Sequence, residues 1–193
     1  MSRPSSAHVV LGACVAGALV LAAGLVAVTA SAPADVPALG GDQVGAPGGA
    51  CSGGYDPGDT VTVATWMSNT SGLAARVRSV EARSAGGLDP APALRVVVRG
   101  EQQPDGGTSF DPRPGELGGT PAAARDFTVP AHGGAWLVVD LHLATGTRAA
   151  WVADFAVTGR GPSGIERTTV VPQLMGVART SAACGRMLED HVR

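Results

Sequence analysis

Residues 136–143 read WLVVDLHL. In an extended chain Leu137, Val139, Leu141 and Leu143 fall on one face, while Trp136, Asp140 and His142 share the other. That two-residue period marks a strand with one face buried. Residues 93–100, ALRVVVRG, repeat it: Leu94, Val96 and Val98 point one way, Arg95, Val97 and Arg99 the other. In residues 59–67, DTVTVATWM, Val61, Val63 and Met67 oppose Thr60, Thr62 and Trp66. In residues 151–158, WVADFAVT, the alternation assigns Trp151, Ala153, Phe155 and Val157 to one face. Residues 73–83 begin with Leu73, Ala75 and Val77 in phase and continue with Val80 and Ala82 out of phase, so a bulge is expected near Arg78 and Ser79.

Between these runs the chain turns. Asn69-Thr70-Ser71-Gly72 and Gly161-Pro162-Ser163-Gly164 have turn chemistry, and residues 103–122 form a long loop rich in Pro and Gly. Phe127 and Val129 mark a short strand stopped by Pro130, and two further short strands are expected at 166–171 and 174–179. No stretch of helical length after the N-terminal region shows a clear helical stripe. The expected fold is all-β: an antiparallel β-sandwich of immunoglobulin-like size with seven or eight strands, preceded by one N-terminal transmembrane helix. The Cys and Trp spacing of antibody domains is absent.

Residues 9–30, VVLGACVAGALVLAAGLVAVTA, hold no charge and no proline. As a helix this segment spans about 33 Å, enough for a hydrocarbon core of roughly 30 Å. Arg3 precedes it and Asp35 is the first charge after it, so residues 1–8 are expected in the cytoplasm and the rest outside the cell membrane. The alternative is a cleaved signal peptide and a secreted product, since Ala30-Ser31-Ala32 suits signal peptidase; the apolar run is long for one. Cys14 lies too early in the run for a lipoprotein site and fits as a small apolar residue of the helix. Residues 31–50, rich in Pro, Gly and Ala, are expected to be a linker, and residues 51–193 the extracytoplasmic domain.

Composition narrows the function. Net charge is -2 with a sequence pI near 6.0, and all fixed cations are Arg. No basic patch marks a nucleic-acid partner, and none is expected. The lack of Lys, with a single Asn, Ile and Tyr, points to a high-GC, actinobacterial genome, so the abundance of Ala and Gly needs no functional reading.

After the apolar segment only Cys51 and Cys184 remain, and in an oxidising compartment such a pair is expected to form a disulfide. His132, Cys184 and Arg186 follow the chain order of the sortases, but the motif around the sortase cysteine is missing. A cystine sulfur is also no nucleophile. The nearest approach to a metal set is His132, Asp140 and His142, an incomplete one, so no metal and no other cofactor is expected. Trp66 and Trp136 are expected to be core. No convergent catalytic set emerges. The expected function is a non-catalytic binding or structural module of the cell envelope, displayed by a single-pass anchor toward an envelope partner; a metal-binding envelope protein is the alternative.

Overall fold

The computed structural model describes residues 38–39, 48–101, 107–113, 115–160 and 164–191. The expected cytoplasmic tail 1–8, the membrane segment 9–30 with Cys14, most of the linker 31–50 and residues 161–163 lie outside the described residues. Among the described residues, no helix is long and apolar enough to cross a membrane.

The described chain forms β1 (Ala38–Leu39), β2 (Gly48–Gly53), β3 (Thr60–Ser68), β4 (Ala75–Gly86), β5 (Ala93–Arg99), β6 (Thr108–Phe110), β7 (Ala122–Ala123), β8 (Arg125–Val129), β9 (Gly134–His142), β10 (Ala149–Arg160), β11 (Glu166–Ala178) and α1 (Ser181–His191). The first sheet has the order β1-β3-β9-β5-β7, with β6 also on β3; the second has the order β2-β11-β10-β4-β8. Val61, Val63, Leu137, Val139 and Leu141 of the first sheet and Val77, Val152, Phe155, Val157 and Met175 of the second pack into one buried cluster. The two sheets therefore share a core. Each such side chain contributes roughly 1.5–3 kcal/mol by leaving water, which is why the inward face is fixed by the apolar period.

The chain changes sheet along both sides of this core. β1 pairs with β3 and the following strand, β2, with β11. On the other side β7 pairs with β5 and β8 with β4, separated only by the buried Ala124. These crossings cover strand edges that would otherwise offer unpaired backbone groups to another chain.

Several sequence expectations are corrected. The described strands number eleven, because short pieces such as β1, β6 and β7 carry too few residues to show a period. The second sheet is mixed, since β2 runs parallel to β11. The two strands expected at 166–171 and 174–179 are one, β11, which runs through Pro172 where its partner β10 shifts register. The expected single face of residues 151–158 breaks at Asp154, whose left-handed backbone (φ 56) accompanies that shift: Phe155 and Val157 face the core, whereas Trp151 and Ala153 lie outside under α1. The bulge expected near Arg78 is present, with Val77 and Ser79 paired to β8 and β10 and Arg78 skipped. Finally, residues 181–191 form a helix. The Thr180 hydroxyl accepts from the Ala183 N–H at 3.2 Å, capping its first turn.

Candidate functional site

The outer face of the first sheet is graded from apolar to polar. Strand register sets the rows: Trp66, Trp136 and Val97; then Ala64, Val138 and Arg95; then Thr62, Asp140 and Ala93; then Thr60 and His142. The apolar half is a second small core. Trp66 and Trp136 meet edge to face at 5.2 Å, and Leu117 from the following loop closes over them with Val97 and Val138. Arg99 donates through Nη1 to the Leu117 carbonyl at 3.0 Å. A side chain at Gly118 (φ 70) would occupy the place of that guanidinium, so only glycine suits both the turn and the contact. The Trp66 indole N–H is buried here without an acceptor. Both indoles are thus buried, as expected, although on the side of the sheet away from the main core.

The polar half is open. Arg95 Nη2 donates to both carboxylate oxygens of Asp140 at 2.6 Å, and the Thr62 hydroxyl donates to Oδ1 at 3.0 Å. Thr60 Oγ1 and His142 Nδ1 are 2.8 Å apart. At the β3 edge, Asp111 accepts from the Thr62 N–H at 3.1 Å and from the Tyr55 hydroxyl at 3.2 Å. The Arg95 side chain is 39% exposed and that of Asp140 25%, so solvent screening holds the worth of the pair to about 1 kcal/mol or less. Asp140 is committed to a guanidinium and a hydroxyl. What this face offers is a strip of hydrogen-bonding groups engaged with one another, except for the Arg95 Nε–H, which is buried without an acceptor among the described residues.

The outer face of the second sheet is covered at one end by α1. Ala183, Cys184 and Met187 are the buried residues of the helix, and Met187 and Leu188 pack against Ala153, Leu174 and Trp151. His191 lies against the Trp151 ring at 4.1 Å. Cys51 of β2 and Cys184 of α1 stand with Cα atoms 5.6 Å apart and their sulfurs at bonding distance, bridging 133 residues of sequence.

The sequence-derived metal candidates are not assembled. Asp140 and His142 are neighbours on β9, but His132 precedes the opposite end of that strand, whose first residue is about 20 Å from Asp140 and about 27 Å from His142 by strand rise. Among the described residues, no group of three or more His, Cys, Asp or Glu is placed to hold a metal ion. His132 is equally remote from Cys184, because β9 starts at the end of the domain opposite to α1. Sequence reasoning missed Arg95, Thr62, Thr60, Tyr55 and Asp111, whose meeting depends on sheet order. It also missed the role of Asn69, read as a turn residue. The buried Asn69 amide donates to the carbonyls of Leu73 (2.8 Å), Val129 (3.2 Å) and Pro130 (2.8 Å), tying the β3–β4 turn to the end of β8.

No family model matches the chain, and no curated protein matches it. Among solved structures, a family 123 glycoside hydrolase from Clostridium perfringens, described for glycolipid glycan hydrolysis, is similar with a TM-score of 0.40 and 6% identity. The match covers 67% of this chain and 23% of that enzyme, so the chain spans less than a quarter of its length. At that TM-score and identity the likeness bears on neither fold nor activity.

Proposed function

We propose that this chain is an envelope protein: residues 9–30 anchor it in the cytoplasmic membrane, and a β-sandwich of immunoglobulin-like size stands outside, acting as a non-catalytic binding or structural module for an envelope partner. The observation that carries the reading is the placement of Cys51 against Cys184. They are the only cysteines after the apolar segment, they join the first strand of the second sheet to the last helix, and a disulfide there persists only in an oxidising compartment. Further support comes from the polar face of the first sheet, where the hydrogen bonds of Asp140, Arg95, Thr62, Thr60 and His142 run to one another instead of converging on a reacting atom.

Fractionation of bacteria producing the chain tests this. Thiols are alkylated before lysis and the full-length product is followed into each fraction. The expected result is a membrane-bound chain with Cys51 and Cys184 protected from alkylation and no new N-terminus near Ala32 or Pro33. A soluble cytosolic product with both thiols alkylated would end the proposal, and a new N-terminus at that point would turn the anchor into a secretion signal.

A further inference from the structure

One end of the domain gathers the exposed apolar side chains. There β3 joins β4 through residues 69–74, β8 joins β9 through residues 130–133, and β10 turns back into β11 after Arg160. The large apolar side chains exposed among the described residues are Leu73 (49%), Val98 (39%), Ile165 (60%) and Val170 (43%). Leu73 and Ile165 lie in the connections at this end. Val98 is one residue from the β5 terminus on the same side, and Val170, opposite Ala156, lies in the adjoining half of β11. None lies in the opposite connections, 54–59, 87–92 and 143–148, where Asp56, Asp59 and Asp89 are exposed. Single exposed apolar residues are ordinary on any surface; a segregated set is not.

Arginines stand beside them. Arg76 and Arg160 are exposed and directly opposite each other at the last rung of β4 and β10, and the exposed Arg167 is one rung away. Like charges placed so closely repel. Glu166, 3.5 Å from both Arg160 and Arg78, and Asp126, paired with Arg78, offset only part of this. The pattern is apolar tips ringed by guanidinium groups.

The chain itself indicates what meets this end. β1 is paired here, with Ala38 opposite Ser68. Only residues 31–37 separate Ala38 from the end of the apolar segment, a reach of about 25 Å at full extension. We propose that this end of the domain binds the surface of an anionic phospholipid bilayer, with Leu73 and Ile165 entering the interfacial region and Arg76, Arg160 and Arg167 meeting headgroup phosphates. The inference rests on reading residues 9–30 as a membrane anchor. Apolar side chains gain by leaving water at the interface, and guanidinium groups suit phosphate oxygens geometrically as well as by charge.

The test uses the full-length chain in lipid nanodiscs, one set of phosphatidylcholine alone and one with about a third phosphatidylglycerol, compared by hydrogen exchange. Peptides covering residues 69–76 and 164–168 should exchange about tenfold more slowly in the anionic discs, with residues 54–59 and 87–92 unchanged. The Arg76→Gln, Arg160→Gln double variant should lose that lipid dependence, and Leu73→Ser should lower protection in both disc types. A chain that co-purifies with discs but exchanges equally at both ends in both lipids overturns this inference and leaves the anchor standing. Protection equal in the two lipids and untouched by the arginine changes also overturns it, pointing to a protein contact. A chain that fails to co-purify with discs overturns the inference together with the anchor.

Discussion

Removing the link between Cys51 and Cys184 should be the most costly small change that leaves the sheets themselves untouched. The bridge spans 133 residues, nearly the whole domain. In the chain-entropy treatment, closing a loop of that length lowers the entropy of the unfolded chain by an amount worth about 5 kcal/mol at 25 °C. Domains of this size are stable by only about 5–15 kcal/mol, so a large share of the total depends on one bond. The expected loss corresponds to a fall in Tm of about 15 °C. Two perturbations separate the cross-link from packing. Reducing the wild-type chain keeps both sulfurs in place, whereas Cys51→Ala with Cys184→Ala also removes side-chain volume next to Ala178 and Ala183. Urea unfolding of the full chain in detergent, followed by far-ultraviolet circular dichroism and tryptophan emission, should give nearly equal losses for the two, with the double variant slightly worse. Trp151 beneath α1 reports whether the helix detaches first, which would appear as a separate early transition. A loss below about 1 kcal/mol for the reduced wild type would show that the link does not constrain the unfolded chain. Non-reducing mass spectrometry comes before all of this: two free thiols would remove the premise.

Two further outcomes follow from packing. Asn69→Ala removes the amide shared by three carbonyls, of which Leu73 keeps the Ser71 hydroxyl and Pro130 the Gly133 N–H, and should cost about 1–3 kcal/mol; Asn69→Asp, which aims a carboxylate at those carbonyls, should cost more, and equal or negligible losses in urea titrations would refute the tying role. Gly176→Ala would place a Cβ 2.5 Å from Met187 Cε and 2.6 Å from its sulfur, displacing a flexible side chain at about 1–2 kcal/mol, and Met187→Ala in the same chain should absorb part of that cost; strict additivity of the two changes would place the helix elsewhere.

Much of the fold is visible in the alternation alone. Leu137, Val139, Leu141 and Leu143 share a face and all are fully buried, because one-sided burial and a two-residue period express the same geometry. The phase change in β4 is visible for that reason too. The same logic misleads in β10, where one left-handed residue, Asp154, resets the phase without a glycine to announce it. In α1, Cys184, Met187, Leu188 and His191 do follow a helical spacing, but a histidine does not register as apolar and Gly185 weakens the helical signal. For the polar face the limit is topological. Asp140 and His142 share a face by spacing, whereas Arg95 and Thr62 reach Asp140 only because β9 lies between β5 and β3. No local pattern encodes that order. His132 lies ten residues before His142 in sequence and yet at the other end of the strand, since an extended segment separates its ends as far as any element can.

The meeting of β2 and α1 at one corner also bears on how the domain tolerates rearrangement. Where the first strand of one sheet meets the closing helix, a fold has a natural seam. Joined from α1 to β2 and reopened in the 87–92 connection, the chain would keep every strand neighbour except the two-residue pairing of β1 with β3, and grafted into a loop of a host protein through β2 and α1 it would demand little more than the gap between two adjacent strands.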